Sequence, residues 1–207
     1  GEGGINVANA AFLRDLRALC DRTGVLLIFD EIQCGIARTG KMFAKDVFGV
    51  QPDIMTLAKG LGGGIPIGAI LCREQVAEAM EFGDHGTTFG GNPLATATAL
   101  ATMRVLINEN IADAVERKGA WFREALEKLK SKHSSVREVR GLGLMLGVEF
   151  SFATKPLMLA MLERGVLANA TADNVLRLVP PLIITEEEMR TVVDVISASI
   201  SSVEDQA

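Results

Sequence analysis

Two apolar runs in this chain each close on a polar group. The first, VLLIF, ends on Asp30; the second, IMTLA, ends on Lys59. In an open parallel α/β sheet, ligands gather outside the carboxyl ends of the strands. The spacing therefore predicts one carboxylate and one amine facing one crevice. That pair suits pyridoxal phosphate. A lysine amine condenses with the aldehyde of this cofactor, and an acid pairs with its pyridinium nitrogen so that the ring can draw electrons from substrate. Partial desolvation of Lys59 favours the neutral, nucleophilic amine. The same lysine can then move a proton to and from the reacting carbons.

Each residue also has a plain reading. Asp30 suits a strand-end turn, and Lys59 a solvated surface charge. A nucleotidase Walker B strand is the rival reading of LLIFDE, but it needs a GxxxxGK[ST] loop, and the sequence has none. Lys59 is followed by LGGG, whose glycines let backbone approach a bulky ligand closely. Farther on, Thr87 and Thr88 sit in a glycine-rich loop, where hydroxyls and N–H groups can hold a phosphate or simply satisfy the loop itself. Arg177 precedes two prolines. Its planar fork suits a substrate carboxylate or an ordinary surface ion pair.

The chain resembles the class III (ω-type) aminotransferases, with its nearest likeness to acetylornithine-using members. The matching segments are GEGGINVA, FDEIQCGIARTGKMFA, PDIMTLAKGLGGGIPIGA, HGTTFGGNPLA, VRGLGLMLGVE and DNVLRLVPPLIITEEE. They run along almost the whole chain. The resemblance implies a fold-type I α/β enzyme with pyridoxal 5'-phosphate as cofactor: part of a large, parallel or mixed sheet domain (residues 1–110), then a smaller α+β domain (111–207). It places Gln33 beside the phenolic oxygen of the cofactor. It gives Thr88 to the phosphate of a neighbouring subunit, within a homodimer with shared active sites, and Thr87 to the substrate. Arg177 would grip a carboxylate of 2-oxoglutarate, and Glu2 would pair with that arginine and release it. The implied reaction moves the terminal amino group of N-acetylornithine to 2-oxoglutarate, a step of arginine biosynthesis. Ornithine, succinylornithine or 4-aminobutyrate as donor, or a non-catalytic dimerising module, are the alternatives. One departure is Ala37, where the family has glycine. The family's phosphate-cradling loop, ring-stacking aromatic and a further arginine lie upstream of GEGG. The chain is therefore expected to be the carboxyl-terminal half of a longer enzyme, and alone to bind the cofactor weakly.

Composition agrees with a packed globular chain: 207 residues, 48% hydrophobic, net charge −5. That charge offers no basic footprint for nucleic acid. Three dispersed cysteines without a CxxC, and only two histidines, argue against structural zinc and fit a reducing, cytoplasmic compartment, with an organellar address left open. Helix and strand patterns alternate. A stripe of Phe12, Leu16, Leu19 and Cys20 predicts a helix over 10–23 stopped by Gly24. Val25–Phe29 reads as a buried parallel strand. Strands are expected at 54–57 and 67–72, with a short helix over 74–80. A helix capped by Asn92 and opened by Pro93 follows. A longer helix over 111–132 buries Val115, Phe122, Leu126 and Leu129. Strands at 136–139 and 142–150, a helix over 156–163, strands at 166–168 and 175–178, and a last helix behind a Thr185–Glu188 capping box complete the pattern.

Overall fold

The computed structural model describes residues 1–204. They form two compact units: Ala8–Asp113, and Gly1–Val7 together with the chain from Ala114 onward. The expected division at residue 110 therefore changes in two respects: the break falls after Asp113, and the first seven residues belong with the carboxyl-terminal unit. The reason for the second is polar anchoring. The Gly4 carbonyl accepts from Arg140 Nε at 2.9 Å, the Glu2 carbonyl accepts from the Thr171 hydroxyl, and Glu2 pairs with Arg177.

In the first unit, α1 (Ala10–Thr23) is capped by the Asn9 side chain at one end and by Gly24 in the left-handed conformation (φ 72°) at the other. Its buried stripe is Leu13 and Cys20; Phe12 and Leu19, expected inside, are exposed. Strand β1 (Ile28–Asp30) is shorter than the apolar run that predicts it. It pairs parallel with β2 (Ile54–Leu57), and β2 pairs antiparallel with β3 (Ala69–Cys72). Val25, Leu26 and Ile28, expected to be buried, are exposed: no described element of this unit covers that side. Helices α2 (Ala44–Phe48), α3 (Glu74–Ala77, a single turn) and α4 (Pro93–Asn108) complete the unit, α4 opened by the Asn92 cap.

Asp53 ties this unit together. It is buried, accepts from the Leu27 N–H at 2.8 Å, and meets Arg17 at 2.7 Å and Arg73 at 3.1 Å. One carboxylate thus fixes α1, the approach to β1 and the end of β3. Arg17 and Arg73, with the Leu27 N–H first among the causes, hold its carboxyl below the usual aspartate range.

The second unit carries a four-stranded antiparallel sheet in the order β4-β5-β7-β6: β4 (Val136–Leu142), β5 (Met145–Phe150), β6 (Asn169–Thr171) and β7 (Val175–Leu178). Helix α5 (Ile111–Glu127) tightens at its end into a 3-10 turn over Lys128–Ser131. Its predicted stripe, from Val115 to Leu129, is buried throughout. Helix α6 (Lys155–Glu163) packs on α7 (Glu186–Glu204). The capping box forms reciprocally: the Thr185 N–H donates to Glu188 at 2.7 Å, and the Glu188 N–H donates to the Thr185 hydroxyl at 3.2 Å. Gly119 in α5 lies so close to the hairpin turn that a Cβ there would meet the Gly143 carbonyl oxygen at 2.3 Å. Among the described residues no helix is long and apolar enough to cross a membrane.

Candidate active site

Because β1 and β2 run parallel, with Asp30 opposite Thr56, their carboxyl ends lie side by side. Asp30 is the last residue of β1. Lys59 opens the 3-10 turn Lys59–Gly62, two residues beyond the end of β2. Both side chains are exposed in this unit. The partial desolvation expected of the amine is not supplied by the unit.

Local bonding fixes the carboxylate. Oδ1 of Asp30 accepts from the Ile32 N–H at 2.9 Å, and the Thr56 hydroxyl lies 3.4 Å away. Oδ2 has no partner among the described residues. Lys59 adopts φ 44°, a left-handed conformation that costs a residue with a Cβ about 1–2 kcal/mol. The turn beneath it closes through Gly63 (φ 59°), where α4 packs, so closely that a Cβ on Gly63 would meet Thr102 Oγ1 at 2.6 Å.

Gln33 follows in the turn after β1. Its Oε1 is buried without a hydrogen-bond partner. A buried polar atom left unpaired is rare. Cys34 beside it stays a thiol: burial, then the nearby Glu31 charge, push it up to about 11. Thr87 and Thr88 lie in an exposed loop of the same unit. The Thr87 hydroxyl accepts from the Gly90 N–H at 3.1 Å, so it holds its own loop, whereas the Thr88 hydroxyl has no partner among the described residues.

Sequence reasoning passed over Glu31. It is a buried carboxylate whose two oxygens accept the N–H groups of Ala44 and Lys45 at 2.6 and 2.7 Å. Desolvation raises its pKa, against these two bonds. The only local hint is an acidic residue directly after a strand and ahead of a polar loop.

The second unit holds Glu2 and Arg177. Arg177 lies on β7, opposite Gly147 and Asn169, with 12% of its side chain exposed. Its guanidinium pairs with Glu2, which is 76% exposed, while Nε is buried without a partner. Arg177 also lines an apolar cavity of about 310 Å³ with Phe122, Leu178 and Pro181.

The class III aminotransferase family model matches residues 1–200. The chain belongs to the class III aminotransferases. Among relatives of this aminotransferase chain, the acetylornithine aminotransferase of Methanocaldococcus jannaschii is 51% identical over 94% of the chain and 49% of its own length. The acetylornithine aminotransferase structure from Elizabethkingia anophelis is 41% identical, with a TM-score of 0.91, over 98% of this chain and 52% of that one. An ornithine aminotransferase structure from Toxoplasma gondii, described as having partial occupancy of PLP at its active site, is 42% identical, with a TM-score of 0.93, over 100% of this chain and 50% of that one. The chain spans about half the length of the curated relatives it matches.

The residues present fit pyridoxal phosphate, the family's cofactor. Asp30 keeps an open carboxylate oxygen, Gln33 an unfilled buried position, and Lys59 an exposed amine at the neighbouring strand end.

Proposed function

We propose that this chain carries the catalytic lysine of an enzyme that transfers the terminal amino group of N-acetylornithine to 2-oxoglutarate. The observation that carries the reading is Asp30 and Lys59 at the carboxyl ends of adjacent parallel strands. When bound, pyridoxal phosphate supplies an aldehyde that takes up an amine and a ring that accepts electrons. Lys59 would hold that group covalently, and its amine, once free, would move the proton at the reacting carbon of the donor. Asp30, oriented by the Ile32 N–H, would keep the ring nitrogen protonated. Gln33 would bond the phenolic oxygen, Thr88 would bond the phosphate from the neighbouring protomer of a homodimer, and Thr87 would lie beside the substrate. Arg177 binds a carboxylate of 2-oxoglutarate with two parallel bonds. When no carboxylate is bound, Glu2 pairs with that arginine and neutralises it. A cytoplasmic location in arginine biosynthesis suits this activity.

The preference for the N-acetylated donor rests on the curated relatives; likeness to an ornithine aminotransferase structure keeps free ornithine as the second reading. The test has two parts. Incubation with pyridoxal phosphate, borohydride reduction and peptide mapping should place the stable adduct on Lys59. In the longest natural form of the protein, a donor panel with 2-oxoglutarate should give the highest kcat/KM for N-acetylornithine. Lys59→Ala should lower kcat by roughly 10²–10⁴-fold, the range of general acid–base catalysis. An adduct spread evenly over surface lysines, or turnover untouched by Lys59→Ala, would sink the assignment.

A further inference from the structure

We propose that Glu31 is a positioning residue for the cofactor-holding lysine, acting through the loop between β1 and α2. The proposal rests on the reading of Lys59 given above. Glu31 extends the strand end, its N–H donating to the Thr56 carbonyl at 3.0 Å. Its carboxylate turns away from the crevice and is only 1% exposed. Both oxygens are filled by backbone N–H groups from the start of α2, 13 and 14 residues later in the chain. Those bonds close residues 32–43 into a tight loop.

The loop's path is costly, so it needs a clamp. Ile36 and Ala37 both adopt left-handed backbone, at φ 53° and 65°, and both are buried. Gly35 allows the turn to pass over the carboxylate: a Cβ there would lie 2.8 Å from the Glu31 carbonyl oxygen and 3.1 Å from Oε2. The clamped loop reaches the lysine through Ile36. A methyl group added to Gly60, the residue after Lys59, would meet Ile36 Cγ2 at 3.4 Å. The buried carboxylate, the strained loop and Ile36 thus lead to within the width of one methyl group of the Lys59–Gly62 turn. At its start the same loop carries Gln33. One carboxylate that never faces the crevice therefore sets the backbone of two residues that do.

The test uses two substitutions that break the clamp from opposite sides. Glu31→Gln keeps size but can accept only one of the two N–H groups. Ala44→Pro removes the N–H that bonds Oε2, at the first position of a helix, where proline is tolerated, and after Phe43, whose extended backbone (φ −129°, ψ 147°) suits a residue before proline. Readouts in the full protein are the fraction of Lys59 trapped by borohydride at limiting pyridoxal phosphate, hydrogen exchange at 34–45, and circular dichroism. We expect each variant to lower capture at Lys59 at least tenfold relative to a surface control such as Lys128, with faster exchange in the loop and a retained dichroism spectrum. The double variant should lose less than the product of the two single losses, because both act on one clamp. Unchanged Lys59 capture in a folded Glu31→Gln or Ala44→Pro protein overturns the proposal. If Glu31→Gln fails to fold, Ala44→Pro alone decides. Absence of selective capture in the unsubstituted protein instead overturns the reading of Lys59.

Discussion

Gly63→Ala probes how tightly the turn bearing Lys59 is wedged. At φ 59° an alanine incurs about 1–2 kcal/mol of left-handed strain. The new methyl would also sit 2.6 Å from Thr102 Oγ1, nearly 1 Å inside ordinary contact. Thr102 bonds the Thr98 carbonyl at 2.9 Å within α4, so swinging its hydroxyl away forfeits about 1 kcal/mol. Against this, alanine restricts the unfolded chain and returns about 0.5 kcal/mol. The net expectation is a destabilisation of about 2 kcal/mol. Thr102→Ala alone should be close to neutral, because alanine's higher helix propensity offsets the lost bond. In that background Gly63→Ala should cost only about 1 kcal/mol, leaving a coupling of about 1 kcal/mol between the two sites. Urea denaturation of the four proteins measures this, and borohydride capture at Lys59 reports the accompanying shift of the turn. Strictly additive effects would refute the contact. A stabilised Gly63→Ala would refute the backbone argument as well.

Three further outcomes are expected. Asp53→Asn should lower the urea midpoint, since it leaves both Arg17 and Arg73 facing a neutral partner. Because the folded carboxyl lies below its unfolded value of about 4, its contribution is complete above that pH and fades as acid passes through the folded value, so melting temperature against pH should lose part of its acid slope in the variant. Gly119→Ala, which would normally gain about 1 kcal/mol in a helix, should instead lose 1–2 kcal/mol by pressing on the Gly143 carbonyl, read as a lower urea midpoint. In the longest natural form, Arg177→Ala should raise KM for 2-oxoglutarate roughly 10–100-fold, the value of a charge-assisted pair, whereas Glu2→Gln should lower it; initial rates at varied 2-oxoglutarate check both.

The features legible in the sequence were those that announce themselves locally. Asn92 followed by Pro93, Gly24 after the first helix, and the Thr185–Glu188 pair each act within one turn, and each stands where the spacing puts it. The parallel pairing behind Asp30 and Lys59 was legible because a strand, a long connection and a second strand imply it. What escaped were contacts whose two ends share no period. Glu31 reaches 14 residues ahead to α2, Asp53 reaches 36 residues back to Arg17, and Arg140 binds Gly4 across 136 residues. The exposed Val25–Ile28 run misled for a different reason. Hydrophobic continuity reports that a segment is built to be covered, not that this unit supplies the cover. Ala37, noted only as a departure from glycine, turns out to hold a left-handed position, beside a second one at Ile36 that the sequence does not betray.

The left-handed backbone at position 59 sets stability and chemistry at odds. A glycine there would relax the turn by about 1 kcal/mol, and the side chain it removes is solvent-facing and packs little. A screen that rewarded only heat resistance would accordingly drift toward replacing this lysine. The most thermally robust descendants of the chain would then be the ones least able to hold an aldehyde, and selection for function is what keeps the strained amine in place.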